Sequence, residues 1–307
     1  MRTFQIHFEG QVQGVGFRPH AFQLASKMDL TGSISNGTDG VTIIVNGTKR
    51  DCYSFYHDLL FAPPSNAIIT RSSIEEITDQ HFESFSIVES TAEAKPTLMV
   101  TPDLAMCESC RSELHDPTNR RHHYAFTTCL NCGPRYSIME HLPYDRENTA
   151  MKDFYLCSPC DNEYHNPLDR RHHSQTNSCP DCAIQLSLLD AEGKSLQFTQ
   201  ETIIKDAVDL LRRGKIIAVK GIGGFLLMCD AGSSATVRML RERKHRPTKP
   251  FALLYPSLAM AKRDLLVGDV EEKALTSKES PIVLLPVNAR FNSKMPLEQI
   301  APGLNKI

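Results

Sequence analysis

Residues 107–132 read CESCRSELHDPTNRRHHYAFTTCLNC, and residues 157–182 read CSPCDNEYHNPLDRRHHSQTNSCPDC. The two stretches are copies of one module at an offset of 50 residues. Eleven of twenty-six positions are identical, among them Glu113/Glu163, His115/His165, Pro117/Pro167 and Arg120-Arg121-His122-His123, repeated as Arg170-Arg171-His172-His173. Each copy holds two C-x-x-C pairs 18 residues apart: Cys107/Cys110 with Cys129/Cys132, and Cys157/Cys160 with Cys179/Cys182. A C-x-x-C pair directs two thiolates into one tetrahedron, and two pairs across a short loop close a four-sulfur zinc site. The duplication therefore predicts two tandem zinc modules and two zinc ions per chain. With four sulfurs filling each tetrahedron, the paired histidines are left to packing or surface roles. Cys52 and Cys229 fall outside the pattern and read as ordinary buried thiols.

Other uses of the cysteines fit less well. Disulfides suit secreted chains, and Met1-Arg-Thr-Phe-Gln-Ile-His7 has no apolar signal core. A redox pair needs one C-x-x-C, not four in register. No apolar run is long enough to span a membrane, so a cytoplasmic chain without a membrane partner is expected. Its net charge of −2 over 307 residues gives no global attraction to nucleic acid or an acidic membrane. Length suggests two or three domains. The sequons at Asn36 and Asn46 have no meaning in a chain that is not secreted.

Upstream of the modules, residues 3–8 alternate apolar and polar as a half-buried strand does. A Gly-rich turn follows, with Pro19 placed where a helix starts, and Ala21–Met28 reads as helix. Residues 31–36 and 41–45 are predicted strands around a turn at Gly37–Gly40. Lys49–Leu60 has helical spacing, and Ile68–Ile77 and Phe85–Val88 could add two strands. The order is β-α-β-β-α-β, the ferredoxin-like arrangement. Successive N–H groups in the turn at 13–18 would make an anion cradle, with Arg18 as a bidentate clamp. Taken alone, the turn reads at least as well as a tight turn beside a surface arginine, and Asn36 as a turn residue in Asn-Gly.

Downstream, Ala191–Thr199 is a polar connector, and Thr199-Gln200-Glu201-Thr202 opens a helix whose apolar face runs to Leu211, with Gly214 as its stop. Ile216–Val219 is predicted as a buried strand and Phe225–Met228 as an apolar one, flanking the Gly-rich loop at Lys220–Gly224. Ser234–Lys244 reads as helix, and Phe251–Tyr255 and Ile282–Leu285 as further strands, an α/β pattern. Arg238, Arg241, Arg243, Lys244, Arg246 and Lys249 crowd into twelve residues. They fit a solvated basic helix face, a nucleic-acid patch without aromatic interleaving, or a triphosphate pocket facing the Gly-rich loop.

Two stretches carry family resemblances. Gly10-Gln-Val-Gln-Gly-Val-Gly-Phe-Arg18 closely resembles the acylphosphatase signature, and Ser35-Asn-Gly-Thr-Asp-Gly-Val41 that family's second motif. The resemblance implies that Gln13, Gly14, Val15, Gly16 and Phe17 form a phosphate loop. It also implies that Arg18 clamps the phosphate and Asn36 orients the attacking water. Lys220-Gly-Ile-Gly-Gly224, Cys229-Asp-Ala231 and Leu240 to Ala252 resemble the YrdC-like domain, which activates a small acid with ATP. That likeness implies that Lys220, Lys244, Arg246 and Lys249 contact nucleotide phosphates or the acid.

The order of parts is an acylphosphatase-like domain (1–90), two zinc modules (within 91–190) and a YrdC-like domain (199–307). Overall the chain is an α+β multidomain protein. It resembles the N-terminal part of the HypF-type carbamoyltransferases of nickel–iron hydrogenase maturation. The resemblance implies hydrolysis of carbamoyl phosphate, then activation of carbamate with ATP and magnesium. A further C-terminal domain would transfer the carbamoyl group to a cysteine of a HypE-type partner, where it becomes a cyanide ligand of iron. That family continues well beyond Ile307, so the YrdC-like domain is expected to be incomplete, with hydrolysis surviving and transfer absent. A zinc-dependent RNA or protein adaptor, using 238–249 and the Arg-Arg-His-His repeats, stays open. So does a plain acylphosphatase without preference for carbamoyl.

Overall fold

The computed structural model describes residues 1–90, 97–196, 199 and 202–307. It divides into two units, Met1–Ile184 and Gln185–Ile307. No helix among the described residues is long and apolar enough to cross a membrane.

The first unit opens with β1 (Arg2–Gln11), α1 (Phe17–Lys27), β2 (Thr31–Asn36), β3 (Val41–Gly47), α2 (Lys49–Phe61), β4 (Ile68–Ile77) and β5 (Phe85–Ile87). They build one sheet in the order β4-β1-β3-β2-β5. β1 is antiparallel to both neighbours, and β5 joins parallel to β2 at the edge. This is the anticipated ferredoxin-like topology with one short added edge strand. Period-two alternation sets the register: Phe4, Ile6 and Phe8 lie opposite Val45, Ile43 and Val41, all fully buried. They share a core with Ala21 and Ala25 of α1 and Cys52, Phe55 and Leu59 of α2. The Phe17 ring sits 5.1 Å from that of Phe8. Burying such a side chain is worth roughly 2–3 kcal/mol, which pins the first turn of α1 to the sheet.

That helix starts earlier than its sequence suggests. It begins at Phe17 rather than Ala21, so Pro19 and Arg18 both lie in its first turn. First-turn N–H groups have no intrahelical acceptor, so proline there removes no helix hydrogen bond.

In the zinc modules, α3 (Glu108–His115) and α4 (Ser158–His165) each begin directly after the first cysteine. Cys107 and Cys157 are the N-cap residues, with near-identical extended backbones (φ −74°, ψ 161° and φ −71°, ψ 161°). Cys110 and Cys160 follow one turn later and are buried.

The second unit contains α5 (Ile203–Arg212), the antiparallel pair β6 (Ile217–Gly221) and β7 (Gly224–Met228), α6 (Ser234–Arg243), α7 (Leu258–Asp264), α8 (Asp269–Leu275), α9 (Ala289–Lys294) and α10 (Leu297–Ile300). Gln200 and Glu201, expected in the opening of α5, lie outside the described residues, as do Gln197 and Phe198 of the connector. The strand expected to be buried at 216–219 forms as β6 but is largely exposed, and two expected strands are not formed. Phe251–Tyr255 and Ile282–Leu285 have no ladder partner among the described residues; instead Phe251 N–H donates to Ile300 (3.0 Å), and Leu285 exchanges bonds with Ile307 (2.7 and 2.8 Å). An apolar run becomes a strand only where another strand supplies its hydrogen bonds. Here both runs serve the small core of Val237, Ala261, Leu265, Leu285, Phe291 and Ile300.

Candidate active site and metal centres

The turn between β1 and α1 is built for close approach. Gly14 and Gly16 hold φ values of 70° and 80°, in the left-handed region that favours glycine. A Cβ on Gly14 would also lie 2.9 Å from Cδ of Arg135. The backbone N–H groups of residues 14–18 meet no acceptor among the described residues. They stand free beside the positive end of α1, the arrangement that receives an anion.

The second motif is locked to this turn through Gln13. Its Nε2 donates to the carbonyls of Gly37 (2.6 Å) and Gly40 (2.8 Å), and its Oε1 accepts from Tyr144 N–H (2.9 Å). Asn36, 2% exposed at the end of β2, donates through Nδ2 to the Tyr144 carbonyl (3.3 Å). Its Oδ1 is buried without a partner among the described residues. An unsatisfied buried acceptor at this edge suits a water molecule.

Arg18 is nearly enclosed. Its Nη2 lies 2.6 Å from Oδ1 of Asp145, and its Nη1 approaches the Ser90 hydroxyl (3.5 Å), which donates to the other Asp145 oxygen. Gln13, Gly14, Gly16, Phe17, Arg18 and Asn36 line one cleft, while Val15 is buried in the core below it. Asp145, from the segment between the two zinc modules, has no counterpart in the sequence reading.

The cleft over the turn has about 340 Å³ of open space, and the zinc modules supply part of its wall. Leu130, Arg135 and Tyr144 face it from the first module and the segment after it, and His173, Ser174 and Gln175 from the second. Arg135, 2% exposed, is committed to carbonyls: Gly14 (2.5 Å), Pro134 (2.8 Å), Leu130 (2.9 Å), and Cys129 and Cys132 (3.1 Å each). One guanidinium thus ties the Gly-rich turn after β1 to the turn carrying two cysteines.

Both cysteine quartets assemble within their own modules. Sγ–Sγ separations are 3.6 Å for Cys107–Cys129 and 3.9 Å for Cys129–Cys132. In the second module they are 3.6 Å for Cys157–Cys179 and 3.7 Å for both Cys179–Cys182 and Cys160–Cys182. Sulfurs about 2.3 Å from a tetrahedral zinc lie about 3.8 Å apart, so the donor set fits that ion. A closed four-sulfur site supplies folding energy and no open coordination position.

The repeated arginines cross between modules. Arg120 of the first donates to Cys160 Sγ of the second (3.2 Å) and pairs with Glu163 (2.7 Å). Arg170 of the second donates to Cys110 Sγ of the first (3.2 Å) and pairs with Glu113 (2.7 Å). Arg121 and Arg171, both buried, repeat the exchange: Arg121 Nε reaches the Ser178 carbonyl (2.8 Å), and Arg171 Nε the Thr128 carbonyl (2.9 Å). Each also pairs with the opposite glutamate. Burial pushes the Glu163 carboxyl up, but Arg121 and Arg120 outweigh it and hold the group down at about 2.

In the second unit, Lys220 lies in β6 with its ammonium 5.8 Å from the Phe225 ring, and Lys244 caps α6. Arg246 turns inward to the carbonyls of Lys249 (3.2 Å) and Pro250 (2.8 Å). Arg241, from the same basic run, holds the carbonyls of Gln299 (2.7 Å) and Ile300 (3.0 Å) and stacks 4.5 Å over Phe251. This cation is therefore structural, a distinction that charge patterning could not make.

Comparison with known proteins matches successive parts of the chain. The Acylphosphatase family matches residues 4–87, the HypF finger family residues 106–139 and 156–189, and the family described as Telomere recombination, which bears the YrdC name, residues 209–307. The chain is 45% identical to the carbamoyltransferase HypF of Synechocystis sp., over 99% of its own length and 39% of that protein. It is 35% identical to an acylphosphatase of Thermotoga petrophila, over 28% of its length and 97% of that enzyme. A crystal structure of full-length HypF in its phosphate- and nucleotide-bound form superposes with a TM-score of 0.88 at 38% identity, over all of this chain and 39% of that one. The chain thus spans about two fifths of the length of the carbamoyltransferases it matches.

Proposed function

We propose that this chain, which belongs to the HypF carbamoyltransferase family, hydrolyses carbamoyl phosphate in the cleft between its phosphate loop and its zinc modules. The observation that carries the reading is the pairing of an anion cradle and Arg18 with the unpartnered Oδ1 of Asn36 at one cleft. The phosphoryl group would sit on the N–H groups of residues 14–18 and the free edge of Arg18. Asn36 Oδ1 would accept a hydrogen bond from water and aim its oxygen at phosphorus. The P–O bond to carbamate then breaks as the new one forms, giving phosphate and carbamate. Carbamate is a good leaving group, so orientation and charge neutralisation suffice without a covalent nucleophile.

The later steps are proposals of the same kind. Carbamate would be activated with ATP and magnesium at the YrdC-like unit, where Lys220, Lys244, Arg246 and Lys249 are the candidates to meet nucleotide phosphates or the acid. The carbamoyl group would then pass to a cysteine of a HypE-type partner in a cytoplasmic hydrogenase-maturation pathway. A relative crystallised with phosphate and nucleotide supports both substrate classes.

The test is phosphate release from carbamoyl phosphate by wild type and Arg18→Ala side by side. Release by the wild type that disappears in a folded Arg18→Ala variant is expected. Equal release by the variant would remove Arg18 from the reaction.

A further inference from the structure

We infer that His173 is the specificity-determining residue of the cleft: its imidazole accepts a hydrogen bond from the amino group of a carbamoyl phosphate and so discriminates against other acyl phosphates. The inference rests on the hydrolytic reading above and adds the group that reads the acyl end of the substrate.

The argument begins with what the other polar groups of the cleft already do. Gln13 is saturated by Gly37, Gly40 and Tyr144. Arg135 is committed to five carbonyls. Gln175 Oε1 accepts from Arg146 N–H (2.9 Å) and the Tyr164 hydroxyl (3.1 Å), and its Nε2 donates to the His173 carbonyl (3.1 Å). The Tyr144 hydroxyl is fully enclosed beside Arg135. Among the described side chains of the cleft, the acceptors left for a ligand are then Asn36 Oδ1, which the water requires, and the ring of His173, with the unpartnered Tyr144 hydroxyl turned to the Arg135 cation.

The ring is held ready. The backbone N–H of His173 donates to the Tyr164 carbonyl (2.9 Å), and the ring lies 5.0 Å from Tyr164 and 4.7 Å from His172. Its backbone is left-handed, with φ of 53°. The duplicate position supplies a control within the molecule. His123 has the same backbone (φ 58°) and the matching bond to the Leu114 carbonyl (2.9 Å), yet takes no part in the cleft. The turn therefore belongs to the module, and the placement at the cleft belongs to the second copy alone. Half-burial beside the Arg18 guanidinium keeps the imidazole neutral, and only the neutral ring has an acceptor nitrogen.

Chemistry explains why an acceptor is needed. A carbamoyl and an acetyl group differ by NH2 against CH3, nearly equal in size, so shape cannot separate them. A site that hydrogen-bonds the NH2 rejects the analogue lacking it, because its own acceptor is left unpaired.

The experiment compares binding of phosphonoacetamide and acetonylphosphonate, a non-hydrolysable pair differing by the same substitution, to the full chain by calorimetry. Wild type is expected to prefer phosphonoacetamide about tenfold, the effect of one such hydrogen bond. His173→Phe, which keeps a ring between Tyr164 and His172, should erase the preference while leaving acetonylphosphonate affinity unchanged. His173→Asn, which tolerates the left-handed backbone and restores an acceptor, should recover part of it. Equal weakening of both ligands by His173→Phe would reduce the residue to a structural role and overturn the inference. So would a wild type without preference, even one that releases phosphate in an Arg18-dependent way. Loss of that release, with the binding preference intact, would instead strike the hydrolytic reading alone.

Discussion

Replacing Arg120 by alanine should loosen the zinc of the module to which Arg120 does not belong. The side chain donates to Cys160 Sγ at 3.2 Å and pairs with Glu163 at 2.7 Å, with 31% of it exposed. A hydrogen bond from a charged donor contributes about 1.5–3 kcal/mol, and partial exposure argues for the lower end. Arg121 continues to neutralise Glu163, so no buried carboxylate is stranded and the loss stays near about 1.5 kcal/mol. With every 1.4 kcal/mol a factor of ten, zinc should leave the Cys157/Cys160/Cys179/Cys182 site about tenfold faster. The Cys107/Cys110/Cys129/Cys132 site should be unchanged. Arg170→Ala should give the mirror image. Release to a chromophoric chelator, with pulsed alkylation and peptide mass mapping, reports which cysteines become reactive first. Acceleration in the substituted residue's own module, or in both equally, would refute the crossed arrangement.

Two further outcomes follow from the buried charges. Asp145→Ala leaves the Arg18 guanidinium without its carboxylate, and breaking a buried pair is worth about 3–5 kcal/mol. Inorganic phosphate should therefore raise the first thermal transition of this variant more than that of wild type, and equal responses would show that Arg18 does not receive the anion. Burial, reinforced by Arg18, His172 and His165, pushes the His173 imidazole down to about 3. The unfolded ring takes its proton near pH 6.5, so the unfolded state binds more protons between about 6.5 and 3, and stability falls as pH drops through that window. The group contributes at most about 1.4 kcal/mol per pH unit. Urea midpoints at pH 7.5 and 5.5 in excess zinc should differ less for His173→Phe than for wild type, and an undiminished difference would exclude His173 as its source.

Local pattern and spacing made much of this molecule legible. Alternation in residues 3–8 and helical spacing in residues 49–60 announce the ferredoxin-like unit, and the C-x-x-C pairs announce both quartets, because those signals lie within one element or one module. The cleft is another matter. Asp145 meets Arg18 across 127 residues of chain, and His173 joins the wall although its duplicate His123 does not; no local pattern separates the two. Charge duplication at Glu113/Glu163 and Arg120-Arg121/Arg170-Arg171 was visible, but pairing within a module and pairing across modules have the same composition. The expected strands at 251–255 and 282–285 fail for the reverse reason, since apolar content marks burial and only a partner edge makes a ladder.

The crossed arginines also bear on how such a chain can change. Each module presents the same patch to the other, so the contact is a self-complementary dimer interface enclosed in a single polypeptide. Removing one copy would leave the survivor with two guanidiniums and a glutamate facing solvent and with its own thiolates uncapped. Adding a third would leave one patch unmatched. The duplication is therefore held at two, and the smallest unit that can be gained, lost or grafted is the pair.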